Sequence, residues 1–174
     1  LRTHTGETIQ AAVLDGREVV YVERLESPQS LRMFMHVGRR NDAHATGTGK
    51  VLLAHLSADR LARVLDGWEL PARTTETLTD PAALRQQLAT IREHGYALNL
   101  EESEIGAASV GAPVRDQSGQ VVAALSCAGP RQRIESHLQP ITQAVMEAAA
   151  ASSRRLGHRP HRPRSRTSGA RATA

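Results

Sequence analysis

The chain contains one cysteine and four aromatic side chains outside histidine, and no apolar run long enough to cross a membrane as a helix. The single thiol, Cys127, excludes an internal disulfide and a cysteine-rich metal site, and its place in an apolar, strand-like run is that of a small buried hydrophobe. Tyr21, Phe34, Trp68 and Tyr96 are too few to build a stacking platform for single-stranded nucleic acid or a ring-lined sugar groove. No basic-then-apolar leader is present, so a cytoplasmic protein without a membrane partner is expected. Acidic residues are missing from one end. None follows Glu147, whereas Arg154, Arg155, Arg159, Arg162, Arg164, Arg166 and Arg171 supply 7 of the 22 basic residues. The formal net charge of +4 therefore comes from the tail, and the part up to Ser153, with 15 basic against 18 acidic side chains, carries −3. An acidic body is a poor platform for a phosphate backbone, while the arginine tail could attract a polyanion without sequence preference.

The 174 residues suffice for one compact domain with its own core. The first residue is Leu1, and Leu1 to Glu7 reads as the tail of something already begun, so a fragment with a missing N-terminal partner is expected. Ile9 to Leu14 and Val19 to Leu25 flank the tight-turn pair Asp15-Gly16 and predict a hairpin, with another strand at Ser30 to His36. Gly47 opens a helix bearing Val51, Leu52, Leu53 and Leu56. Ser57 is suited to cap a short helix, and Asp80-Pro81 to start one that carries Leu84, Leu88 and Ile91 and stops at Gly95. Tyr96 to Leu100 is extended, a second hairpin joins Ser109 to Arg115 with Gln120 to Ala128, and a last helix runs from a Ser136 cap to Gly157. Residues 1–157 thus form one domain, and residues 158–174, poor in apolar side chains, form a basic tail with little reason to fold. Two hairpins with intervening helices predict an α/β (α+β) domain, a central antiparallel or mixed sheet flanked by helices, rather than a parallel nucleotide-binding sheet.

Gly47-Thr48-Gly49-Lys50 has the look of a phosphate loop, but Val51 stands where the magnesium-holding hydroxyl belongs. What remains is a helix start whose free N–H groups and dipole suit a small anion. The same glycines would equally permit close packing of the helix on the sheet. His44 and the other body histidines show no paired metal-ligand spacing, so no metal is expected. Glu101, Glu102 and Glu104 lie beside Ser103, and Ser109, Ser126 and Cys127 could be nucleophiles, yet no base or nucleophile turn accompanies them. No catalytic residue and no cofactor is assigned. Alternation on the last strand puts Ser126 and Ala128 on one face and Leu125 and Cys127 on the other. If Ser109 shares the Ser126 face, its hydroxyl meets the open end of the Gly47 helix across a small cavity.

The fragments GETIQAAVLDGREVVYVERLES, LRMFMHVGRRNDAHATGTGKVLLAHL and LTDPAALRQQLATIREHGYALNLEESEIGAASVGAPVRDQSGQVVAALSCAGP, followed by an amphipathic helix, resemble in order and spacing the IclR family of bacterial transcription regulators, from about Thr5 to Gly157. The resemblance implies a GAF-like or profilin-like effector-binding domain, a homodimer or homotetramer, and operator DNA read by an N-terminal winged helix-turn-helix absent from this chain. It implies a small organic effector, a carboxylate or aromatic acid, at Gly47, Thr48, Asn99, Ser109, Ser126 and Ala128, with Asn41, Ile105 and Ala107 at the wall. Asn99 stands where the family's carboxylate binders have an acid, Ser109 where they have a thiol and Ala128 where they have a hydroxyl, so a changed ligand is expected. The competing readings are a small-molecule enzyme on a GAF-like fold and a structural or nucleic-acid-binding module that uses the basic tail.

Overall fold

The computed structural model describes residues 1–159. A short helix α1 (Arg2–Thr5) precedes the hairpin β1 (Thr8–Asp15) and β2 (Glu18–Leu25), then the short strand β3 (Arg40–Asp42) and a 3-10 turn (Ala43–Ala45). Helices α2 (Gly47–Ala54), α3 (Ala58–Leu65) and α4 (Pro81–His94) follow. Strands β4 (Ala97–Leu100), β5 (Ala107–Arg115) and β6 (Val121–Pro130) and helices α5 (Arg131–Ser136) and α6 (Leu138–Arg155) complete the described residues. Local chemistry explains most of the punctuation. Gly16, at φ 62°, supplies the left-handed residue of the first hairpin turn. Asp80 accepts from the N–H groups of Ala82 and Ala83 at 3.1 and 3.0 Å, Pro81 occupies the first turn, and Gly95 at φ 78° ends α4.

The strands form one six-stranded sheet in the order β3-β2-β1-β6-β5-β4, and every pairing is antiparallel. The two alternatives left by the sequence thus resolve to the antiparallel one. On one face, α2, α3 and α4 bury Val51, Leu53, Leu84, Leu88 and Ile91 with Ala12, Val19 and Ala124 of the sheet. On the other, α5 and α6 bury Ile134, Ile141, Val145 and Ala149 against Val110, Val114 and Cys127. The two hydrophobic layers are separated by a single sheet, as period-two alternation requires.

Three local expectations are corrected. Ser30 to His36 is an irregular segment, not a strand. Its carbonyls are taken by side chains: Thr8 Oγ1 donates to Met33 O at 3.2 Å, Arg133 to Leu31 O at 2.8 Å and Arg24 to Met35 O. Side-chain donors here occupy the acceptors that a ladder would use, and the sheet edge goes to Arg40–Asp42 instead. Ser136 does not cap the last helix; its hydroxyl donates to Arg133 O, and His137 precedes α6 without a side-chain cap. The extra helix α5 lies in the stretch read as a connection. Most of the 158–174 tail lies outside the described residues.

Two histidines flank α2, His44 buried and His55 half-buried. His44 Nε2 donates to Pro71 O at 3.1 Å, and its ring meets Trp68 edge-on at 5.2 Å. His55 Nδ1 donates to Val51 O at 2.9 Å. Burial holds both imidazoles below their usual protonation range. The unfolded chain then binds more protons than the native one, so stability is full above the unfolded value of about 6.5 and falls as pH drops below it. Chemical unfolding between pH 7.5 and 5.5 should show this loss, with a limiting slope of about 1.4 kcal/mol per pH unit for each histidine. A His44→Leu/His55→Leu variant with the same slope as the parent would refute it.

Candidate functional site

Cross-strand register assembles the site from distant parts of the chain. Asn99 pairs with Ser109, Ser109 with Ala128 and Ala128 with Thr8, which makes one row across β4, β5, β6 and β1. The next row on the same face runs through Gly111, Ser126 and Gln10. Directly opposed residues share a face, so both rows look toward α2. Their small side chains are a steric requirement: a Cβ on Gly111 would lie 2.9 Å from the Gly47 carbonyl, and one on Gly47 would lie 2.9 Å from Ser109 Oγ. Gly49 is equally constrained, because a Cβ there would fall on the backbone of Ala43. Close packing therefore accounts for these glycines without a nucleotide.

Lys50 supports that conclusion. Its side chain is fully buried and its Nζ is ion-paired with Glu102 Oε1, so it is not presented to a phosphate. Burial pushes the Lys50 ammonium down and the Glu102 carboxyl up, and each is drawn back by the charge of the other. The pair ties α2 to the loop between β4 and β5. That loop is fixed further by Thr77 Oγ1, which donates to Glu102 O at 2.6 Å, and by Thr74 Oγ1, which donates to Glu101 O at 2.7 Å.

At the start of α2, Thr46 Oγ1 accepts from the Gly49 N–H at 3.1 Å. The Gly47 and Thr48 N–H groups precede the first carbonyl that could serve them within the helix, and neither has a hydrogen-bond partner among the described residues. Three side-chain atoms around them are buried and also without a partner: Gln10 Nε2, Thr48 Oγ1 and Ser126 Oγ. In front lies a cavity of about 320 Å3. Its inner wall includes Gln10, Tyr21, Ala45, Thr46, Ala108, Ser109 and Ala128. Burial raises the Tyr21 phenol above its ordinary value, so it stays a neutral donor and acceptor.

Of the residues singled out from sequence, Asn41, Asn99, Ala107, Ser109 and Ala128 line this cavity. Gly47, Thr48 and Ser126 are buried beside it. Ile105 is not among the lining residues and is 77% exposed. The Asn99 amide is committed to the loop: its Oδ1 accepts from the Glu102 N–H at 2.9 Å and its Nδ2 donates to Ser103 Oγ at 3.0 Å. Gln10, Tyr21, Arg39, Arg73 and Glu104 also line the cavity and were not anticipated. For Gln10 a signal existed, since Thr8 and Gln10 are polar at the inward positions of a strand that buries Ala12.

Among the described residues no cluster of histidine, cysteine, aspartate or glutamate could hold a metal. No side-chain base hydrogen-bonds Ser109 or Ser126 among those residues, and the Cys127 thiol, on the opposite face, is pushed up to about 11 by burial and stays protonated at neutral pH. No helix of the described residues is long and apolar enough to cross a membrane. A cavity beside buried, unpartnered polar groups on a helix-covered antiparallel sheet has the usual anatomy of a small-molecule site.

Comparison with known proteins gives that class its family. Residues 1–154 match the family described as bacterial transcriptional regulator IclR C-terminal, and the chain belongs to it. It is 38% identical over 159 residues to the HTH-type transcriptional regulator XynR of Escherichia coli K12, covering 91% of this chain and 63% of XynR. The crystal structure of Thermotoga maritima IclR superposes with a TM-score of 0.84 at 36% identity, over 90% of this chain and 64% of that one. An IclR homologue from Microbacterium hydrocarbonoxydans, complexed with 4-hydroxybenzoate, superposes with a TM-score of 0.81 at 33% identity, over 89% and 62% of the two chains. The chain spans 52% of the length of the regulator BhcR and 63% of that of XynR.

Proposed function

We propose that this domain senses a small organic acid in the cavity in front of α2 and passes its occupancy to a DNA-binding domain that controls transcription. The observation that carries the reading is the set of buried polar atoms without partners, Gln10 Nε2, Thr48 Oγ1 and Ser126 Oγ, gathered at a helix start with two unserved N–H groups. Such groups are costly to bury unless something hydrogen-bonds them, and an acid head group is an acceptor for donors of this kind. Relatives named as transcriptional regulators, one homologue of which holds 4-hydroxybenzoate, support a sensor rather than an enzyme. In the full regulator, operator DNA would be read by a winged helix-turn-helix, in a cytoplasmic homodimer or homotetramer.

Calorimetric titration with a panel of small carboxylates and aromatic acids tests the reading. A saturable ligand is expected, and Ser109→Ala with Ser126→Ala should weaken it by about 1.5–3 kcal/mol for each lost hydrogen bond to its charged head. A ligand whose affinity ignores both substitutions binds elsewhere. Sustained chemical turnover of that ligand, abolished by the same substitutions in a folded variant, would make the domain an enzyme.

A further inference from the structure

The end of α6 gathers cations that no acid answers. Arg154, Arg155 and Arg159 are exposed there, and Arg115 of β5 and His158 lie half-buried beside them. Two bonds close the helix: with Gly157 at φ 86°, its N–H donates to Arg154 O at 3.0 Å, and the His158 N–H donates to Ser153 O at 2.9 Å. The turn lays His158 beside Gly119 of the β5–β6 hairpin and on a cavity of about 270 Å3 that Arg115 and Arg154 also line. Ala112, Pro113 and Ala149 contribute to the wall, and no carboxylate does. None of these four arginines, nor His158, is ion-paired among the described residues. The Arg115 guanidinium is held by a carbonyl, its Nη1 donating to Gly119 O at 3.1 Å, and burial pushes it below its ordinary value with no opposing charge. The neighbouring acid, Asp116, is taken by Ser118 and by the Gln120 N–H.

The sequence carries the same charge onward. Residues 148–174 hold seven arginines and no acid, and Arg162, Arg164, Arg166 and Arg171 among them lie outside the described residues. The family model ends at residue 154, so six of the seven lie beyond what defines the family. We propose that this pole is a second contact with DNA, which holds the phosphate backbone of a duplex without reading its bases. The chemistry selects the partner. A half-buried guanidinium without a counter-ion is relieved by an anion, and its fork of donors matches phosphate oxygens. The body up to Ser153 carries −3, so attraction is confined to this end. Duplex DNA presents one charge per about 1.7 Å, more densely than a single strand does. No Phe, Tyr or Trp follows Tyr96, and none lines the cavity, so the open bases of a single strand gain no stacking here. No large apolar side chain follows Leu156 to enter a lipid surface. The contact goes beyond the sensor reading and needs no effector, so the two fail separately.

Fluorescence anisotropy of this chain with labelled random-sequence duplexes of about 20 base pairs tests the contact. Binding should be indifferent to sequence and should weaken at least a hundredfold, roughly, between about 50 and 200 mM salt, as for about five phosphate contacts. Arg115→Gln with Arg154→Gln should weaken it about tenfold at the lower salt. Arg60→Gln with Arg63→Gln removes the same charge from exposed positions of α3, on the other face of the sheet, and should change it less than about twofold. Truncation after Arg159 removes four further arginines and should flatten the salt dependence by more than half. Thermal melts should match the parent; if Arg115→Gln melts early, Arg154→Gln with Arg155→Gln, both exposed, serves in its place. Equal losses for the pole and the α3 pairs would reduce the effect to net charge and overturn the inference. Tighter binding to a single strand of the same length, or to vesicles of phosphatidylcholine and phosphatidylserine at the same salt, would overturn it as well. So would the absence of duplex binding at the lower salt.

Discussion

Lys50→Met should lower the stability of this domain by about 3–5 kcal/mol, because it strands the Glu102 carboxylate in a site with little water. Lys50 is wholly buried and Glu102 only 8% exposed, so neither charge is screened as a surface pair would be. The cost arises from the orphaned partner rather than from a large net worth of the pair. Removing both, as Lys50→Met/Glu102→Leu, should therefore recover most of the loss. Urea unfolding of the parent, the single and the double variant measures each step. A single-variant loss below about 1 kcal/mol would mean that water reaches Glu102 freely. The pair also fixes the loop that bears Ser103 and Glu104 and hydrogen-bonds Asn99, so the single variant should loosen one side of the cavity.

Gly49→Ala should be comparably damaging for a different reason. The added methyl would meet the Ala43 carbonyl oxygen and Cα and lie 2.6 Å from its carbonyl carbon, and backbone cannot swing aside as a side chain can. A loss at or above the top of the roughly 1–3 kcal/mol range for overpacking is expected. Gly47→Ala is the control. Its methyl meets Ser109 Oγ at 2.9 Å, a hydroxyl that can rotate, so thermal melts should show a clearly smaller shift. A Gly49→Ala protein as stable as the parent would show that the 3-10 turn before α2 gives way easily.

Where local chemistry decides conformation, the sequence was readable. The Asp15-Gly16 turn, the Asp80-Pro81 start and the Gly95 stop each act within a few residues, and each is found where expected. The face shared by Ser109, Ser126 and Ala128 was readable too, because alternation leaves only two choices. Ser30 to His36 misled because a strand needs a partner, and the groups that claim its carbonyls, on Thr8, Arg24 and Arg133, come from distant parts of the chain. The same limit hid most of the cavity's lining. Nothing local marks Arg39 or Glu104, since their place at the cavity depends on how distant strands are brought into one sheet. Asn99 was legible as a position but not as a role, because its amide is spent on Glu102 and Ser103.

The single sheet between two hydrophobic layers has a bearing on how such a sensor can diversify. On β6, Ser126 and Ala128 face the cavity side, while Cys127 between them is packed under α5 and α6. Under the proposed reading, adjacent codons answer to separate demands, one to the guest molecule and the next to the scaffold. Polar exchanges at alternate positions can retune the receptor while the helices behind it keep their footing.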